Sequence, residues 1–98
     1  NMSTNPSILI VEDEAILALD LSMQLEKQGY TVVGTAATSE QAVALFKQHP
    51  VDLVMCDIHL RNGPNGIETA RRLVAHRAVP IIYLSALTDS VTLEQAKH

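Results

Sequence analysis

Apolar residues gather in four short runs, ILIV (Ile8–Val11), TVVGTA (Thr31–Ala36), VDLVMC (Val51–Cys56) and VPIIYL (Val79–Leu84). The first, third and fourth are almost continuously apolar, as strands covered on both faces are, whereas the second has the polar mix of a sheet edge. Between the runs the apolar positions recur at helical spacing. Glu14 to Gln28 carries Leu17, Leu21 and Leu25 at i, i+4 and i+8 and stops at Gly29, where a C-terminal cap glycine belongs. Thr38-Ser39-Glu40-Gln41 fits a capping box that opens a second helix, with Ala42, Leu45 and Phe46 on one face before Pro50. After Gly66, the residues Ile67, Ala70, Leu73 and Val74 form an inward stripe, with Glu68 in the first turn where the helix dipole favours an anion. A fourth helix is expected from about Thr88 or Asp89, with Leu93 and Ala96 facing inward. The order βαβαβαβα predicts an α/β fold with a doubly wound parallel sheet and no internal domain boundary.

Composition sets limits on this picture. Ninety-eight residues with 47% hydrophobic content suit one domain with one core. Eleven acidic against seven basic residues give a net charge of −4, and the only adjacent basic pair is Arg71-Arg72, so no direct nucleic acid contact by this segment is expected. The single Cys56 cannot form an internal disulfide and reads as a buried small hydrophobe, and no apolar run reaches the length of a membrane span. A cytoplasmic location is the default expectation, with no membrane partner. Residues 1–7, NMSTNPS, are polar and read as a disordered leader or cloning remnant, leaving 8–98 as the domain.

In a sheet of this type, ligands bind outside the carboxyl ends of the strands, near the point where strand order reverses. Glu12 and Asp13 follow the first run, Asp57 follows the third, and Ser85 follows the fourth. Taken alone, Asp13 reads as a helix cap and Ser85 as a turn residue. Asp57 is harder to explain locally, because a carboxylate ending a buried strand loses hydration and needs a partner to stay charged. Carboxylates held together repel unless a cation is present, and a small hard divalent ion such as Mg²⁺ suits an oxygen-only site. Asp57 would then be placed to attack phosphorus and accept a phosphoryl group as an acyl phosphate. Ser85 and the backbone N–H of Ala86 would donate hydrogen bonds to the phosphoryl oxygens.

The segments ILIVEDE, VDLVMCDIHL, NGIETARRL and VPIIYLSAL, in this order and spacing, resemble the receiver domain of bacterial two-component response regulators, from Ile8 onward. The resemblance implies a flavodoxin-like fold and a signalling switch, a phosphoacceptor regulatory domain rather than a turnover enzyme. It implies that Glu12, Asp13, Asp57 and the backbone carbonyl of His59 hold Mg²⁺, that Asp57 is the phosphoacceptor, and that Ser85 is the switch hydroxyl. A sensor histidine kinase or phosphotransfer protein would be the phosphoryl donor, and the resemblance admits a homodimer. Phosphorylation would shift a two-state equilibrium at the surface formed by the fourth helix and the family's fifth strand.

Departures from the family pattern bear on the reading. Glu12 stands where the family often has Asp, and Arg61 replaces the usual proline four residues after Asp57. Arg61 reads either as a solvated loop residue or as one that alters approach to the phosphoryl group. His59 and Leu87 occupy positions that in this family tune the lifetime of the acyl phosphate. The family's fifth strand, with its lysine, and fifth helix have no counterpart before His98, and Lys97 reads as a surface residue; the chain is expected to continue in the natural protein. A degenerate receiver used only for protein contact is the alternative. A phosphatase of the aspartate-nucleophile class would carry the nucleophile on the first strand with a second Asp two residues later, and here His59 holds that plus-two position. A dinucleotide site would need a glycine-rich turn after the first strand, which is missing.

Overall fold

The computed structural model describes residues 5–84, which form β1 (Ser7–Val11), α1 (Ala15–Lys27), β2 (Thr31–Ala36), α2 (Ser39–Gln48), β3 (Leu53–Cys56), α3 (Gly66–His76) and β4 (Ile81–Tyr83). The strands make one parallel sheet in the order β2-β1-β3-β4. The alternation of strands and helices read from the sequence is therefore the architecture observed, and the polar second run is an edge strand. The fourth helix, Ser85, Ala86, Leu87 and Lys97 lie outside the described residues.

β1 sits at the centre of the sheet, which explains its unbroken apolar run. Ile8, Leu9, Ile10 and Val11 are all buried. Because side chains alternate across a strand, Leu9 and Val11 meet the core containing Phe46, Val54, Cys56 and Leu73, and Ile8 and Ile10 point to the opposite face. α2 and α3 pack beside one another, whereas α1 lies against β1 and β2. Phe46 is wholly buried, and the Arg77 guanidinium lies 3.9 Å from its ring centroid while Nη2 donates to the His49 carbonyl at 2.8 Å. This ties the end of α3 to the end of α2.

Local signals fix the helix ends. Thr38 Oγ1 accepts from Gln41 N at 3.2 Å, and the Gln41 side chain accepts from Ala37 N at 2.8 Å, so the expected capping box closes one residue further upstream than its simplest form. Asn65 caps α3, its Oδ1 accepting from Glu68 N at 2.9 Å. Gly29, with φ +97°, ends α1 in the left-handed region that favours glycine.

Several expectations need correction. β3 begins at Leu53 rather than Val51, with the Asp52 carboxylate accepting from the Ser7 N–H just ahead of it, and β4 is confined to Ile81–Tyr83. Among the described residues β4 is the outer strand and Ile82 is half exposed, while the fourth helix expected to follow it lies outside them. On α3 the inward face is Gly66, Thr69, Ala70 and Leu73; Ile67 and Val74 lie around the helix and are exposed, Val74 lining a shallow groove beside Ile81 and Tyr83. On α1, Ala18 is the buried residue, and Leu17 turns toward the mouth at the end of the sheet.

Candidate functional site

Strand order reverses between β1 and β3: from β1 the chain crosses to β2 on one side and returns to β3 on the other. The carboxyl ends of these two strands are adjacent, Val11 pairing with Cys56, so the residues that follow them are forced together. Asp57 N donates to the Val11 carbonyl at 2.8 Å and Glu12 N to the Ala36 carbonyl at 2.8 Å, extending the ladder by one bond on each side. One ligand-capable oxygen from each of Glu12, Asp13 and Asp57 lies within 4.8 Å of the others. The mouth around them is lined by Glu14, Leu17, Leu21, His59, Arg61 and Leu84.

Each carboxylate is held differently. Glu12 is buried, and its Oε2 accepts from Glu14 N at 2.9 Å, satisfying the N–H of the residue that precedes α1. Burial pushes its carboxyl above the ordinary glutamate range, and the charges of Asp57 and Asp13 add to that rise, while the Glu14 hydrogen bond offsets part of it. Asp13 Oδ2 accepts two bonds from Arg61, from the backbone N at 3.0 Å and from Nε at 3.1 Å. The backbone bond is the larger cause, and with the guanidinium it holds the Asp13 carboxyl below the ordinary aspartate range. The reading of Asp13 as a helix cap is therefore wrong. The cap residue of α1 is Glu14, without a side-chain cap bond, and Glu12 supplies the local acceptor. Arg61 is likewise more than a solvated loop residue.

Asp57 Oδ1 accepts from His59 N at 3.0 Å, which fixes the orientation of the carboxylate at the start of the β3–α3 loop. That loop turns back through Gly63, at φ +83°, and brings the start of α3 against the backbone of Asp57. Gly66 N donates to the Ile58 carbonyl at 2.8 Å. A β-carbon on Gly66 would overlap the Asp57 carbonyl and stand 2.8 Å from Ile58 Cα. The glycine is thus required by backbone packing directly beneath the central carboxylate. Cys56 Sγ donates to the Gly66 carbonyl at 3.5 Å, and burial raises the thiol pKa to about 12, which agrees with its reading as a small core residue.

The structure therefore brings Glu12, Asp13 and Asp57 together and sets His59 beside them; Ser85 and Ala86 fall outside the described residues. Reading the sequence for chemistry passed over Gly66 and Asn65. The signal for Asn65 was present, since Asn65 followed by Glu68 three residues later is a helix-start pattern. The demand on Gly66 arises from a tertiary approach that no local pattern encodes.

Comparison with known proteins gives a consistent result. The family described as the response regulator receiver domain matches residues 8–98. The transcriptional regulatory protein PdtaR of Mycobacterium tuberculosis is 36% identical over 90 residues, covering 92% of this chain and 43% of PdtaR. Among solved structures, the signal receiver domain of a modulated diguanylate cyclase from Desulfovibrio desulfuricans G20 superposes with a TM-score of 0.76 at 40% identity, covering 82% of this chain and 64% of that one. The anti-anti-sigma factor PhyR of Bartonella quintana, in complex with the anti-sigma factor NepR, gives a TM-score of 0.75 at 30% identity, covering 81% of this chain and 33% of that one. The chain spans less than half the length of the curated relative PdtaR.

Proposed function

This chain belongs to the family of response regulator receiver domains, and from that premise we propose that it is a phosphoryl-accepting switch whose acceptor is Asp57. The observation that carries the reading is the convergence of the Glu12, Asp13 and Asp57 carboxylates within 4.8 Å at the strand-order reversal. An oxygen-only set of this kind fits Mg²⁺, with Glu12, Asp13, Asp57 and the His59 backbone carbonyl as its protein ligands. When bound, the ion would neutralise charge on the phosphoryl oxygens during in-line transfer. Asp57, oriented by the His59 N–H, supplies the carboxylate oxygen that attacks phosphorus as the bond to the donor breaks. Glu12 and Asp13 flank the acceptor and repel an unaccompanied phosphate, which makes transfer dependent on the metal. Ser85 and the Ala86 N–H receive the phosphoryl oxygens in this reading.

The phosphoryl donor is a sensor histidine kinase or phosphotransfer protein, and the setting is the cytoplasm. No helix among the described residues is long and apolar enough to cross a membrane. The added phosphate, about −1.5 to −2 in charge if it behaves as on other side chains, shifts the population of two surface states, and a protein target reads the shift. A regulatory role for 8–98 as one receiver unit follows, with a homodimer or a heterologous protein as the outlet.

Intact mass before and after incubation with Mg²⁺ and a small phosphodonor tests the reading. The expected result is a gain of a single phosphoryl group, absent with chelator and in Asp57→Asn. No gain in the full-length natural protein would instead support a receiver that acts by contact alone.

A further inference from the structure

We propose that Arg61 is a built-in counter-cation of the acidic cluster, seated on Asp13 until a divalent ion displaces its side chain. The inference rests on the receiver reading above and adds a regulator of metal loading to it. Three observations support it. Asp13 Oδ2 takes both bonds from one residue, the main-chain N–H and the Nε of Arg61, so the oxygen nearest the loop is already engaged by a charge. The Asp13 side chain is only 7% exposed while that of Arg61 is 66% exposed, so a guanidinium with open access to water still ends on the shielded carboxylate. Glu12 and Asp57, whose oxygens lie within 4.8 Å of those of Asp13, form the rest of the anionic cluster, and the charges of Glu14 and Glu12 act on the guanidinium beside that of Asp13.

The form of the contact makes it displaceable. The Asp13 pair uses Nε and one carboxylate oxygen, rather than the two-pronged fork that gives arginine–carboxylate pairs their strength. The main-chain bond from Arg61 N keeps the loop docked on Asp13 when the side chain rotates away. Loading a divalent ion then requires only the exchange of one exposed side chain. A site with this device binds metal more weakly than the same carboxylates would without it, because the ion must replace a charge already present and then tolerate it nearby.

Titration of the full chain with MgCl₂ by isothermal calorimetry, for the wild type, Arg61→Ala, Arg61→Gln and Asp13→Asn, decides the matter. Removing the guanidinium is expected to tighten Mg²⁺ binding about threefold to tenfold, the range that loss of an exposed ion pair and a nearby like charge allows. Arg61→Gln, which keeps the length of a polar side chain without its charge, should behave as Arg61→Ala does. Thermal melts run in parallel should show a larger Mg²⁺-induced rise in Tm for both variants than for the wild type. Equal Kd values in the wild type and both Arg61 variants, with binding lost in Asp13→Asn, would overturn the counter-cation role and leave the receiver reading standing. Weaker binding in both variants would also overturn it, assigning Arg61 to positioning Asp13. Absence of Mg²⁺ binding in every protein would remove the metal-dependent reading itself, and this inference with it.

Discussion

The two ends of β1 and β3 present acidic residues in opposite circumstances. At the amino end, Asp52 N donates to the Ser7 carbonyl at 2.7 Å and the Asp52 carboxylate accepts from Ser7 N at 2.7 Å. At the carboxyl end, Asp57 N donates to the Val11 carbonyl at 2.8 Å, so the backbone continues the ladder in the same way. There the likeness stops. The Asp52 carboxylate is exposed and closes a local hydrogen-bond pair, whereas the Asp57 carboxylate shares its mouth with Glu12 and Asp13. An aspartate flanking a buried strand is therefore no signature by itself. What distinguishes the two ends is company: one carboxylate beside a backbone amide satisfies it, and three together call for a cation.

The largest expected effect lies under the crowded end. Gly66→Ala places a methyl group into the Asp57 carbonyl and against Ile58 Cα, both main-chain atoms that cannot rotate away. A cost of about 3 kcal/mol in urea unfolding is expected, at the upper end of ordinary overpacking because backbone must move. A cost below about 1 kcal/mol would show that the loop relaxes freely and that the carboxyl end is no more tightly specified than the amino end.

The contrast also explains how much could be read from residue order. The parallel alternation, the edge character of β2 and the Glu12, Asp13 and Asp57 grouping follow from apolar run length and from which residues end each run, both local properties. The placing of Ile67 and Val74 did not follow. Period alone admits a broad stripe on α3, and only its packing against α2 and the sheet selects Thr69 and Leu73 over them. The helical spacing of Leu17, Leu21 and Leu25 likewise did not reveal that Ala18 is the buried residue of α1. Arg61 and Gly66 belong to a third kind: Arg61 meets Asp13, far away in sequence, and Gly66 meets Asp57 and Ile58 only because the β3–α3 loop folds back on itself, so no local pattern records either contact.

Asp57→Asn separates charge crowding from hydrogen bonding. The amide oxygen can still accept from His59 N, while one negative charge leaves the cluster. In metal-free buffer the variant is expected to be more stable than the wild type by about 1 kcal/mol, the scale of a like-charge contact near the surface. The order should reverse with Mg²⁺: at about ten times its Kd the ion stabilises the wild type by ~1.4 kcal/mol and the variant far less. Chelator removes that gain. Denaturant melts with and without Mg²⁺ measure both signs, and a variant destabilised in metal-free buffer would mean that Asp57 is held mainly by favourable contacts rather than opposed by its neighbours.

At the quiet end the sign should be opposite and the effect smallest. Asp52→Ala removes the acceptor of the Ser7 N–H but leaves the Asp52 N–H bond to the Ser7 carbonyl in place, since that bond belongs to the main chain. The Ser7 N–H is exposed enough for water to take over, so the loss stays below the roughly 1.5–3 kcal/mol of a shielded hydrogen bond to a charged acceptor and is expected at about 1 kcal/mol or slightly less. Mg²⁺ should leave this difference unchanged, because Asp52 lies at the opposite end of the strands from the carboxylate cluster. The same urea melts check it. A Mg²⁺-dependent change in the Asp52→Ala effect would show that the two ends communicate through β1 and β3, and the separation between a closed local pair and a cation-demanding cluster would no longer hold.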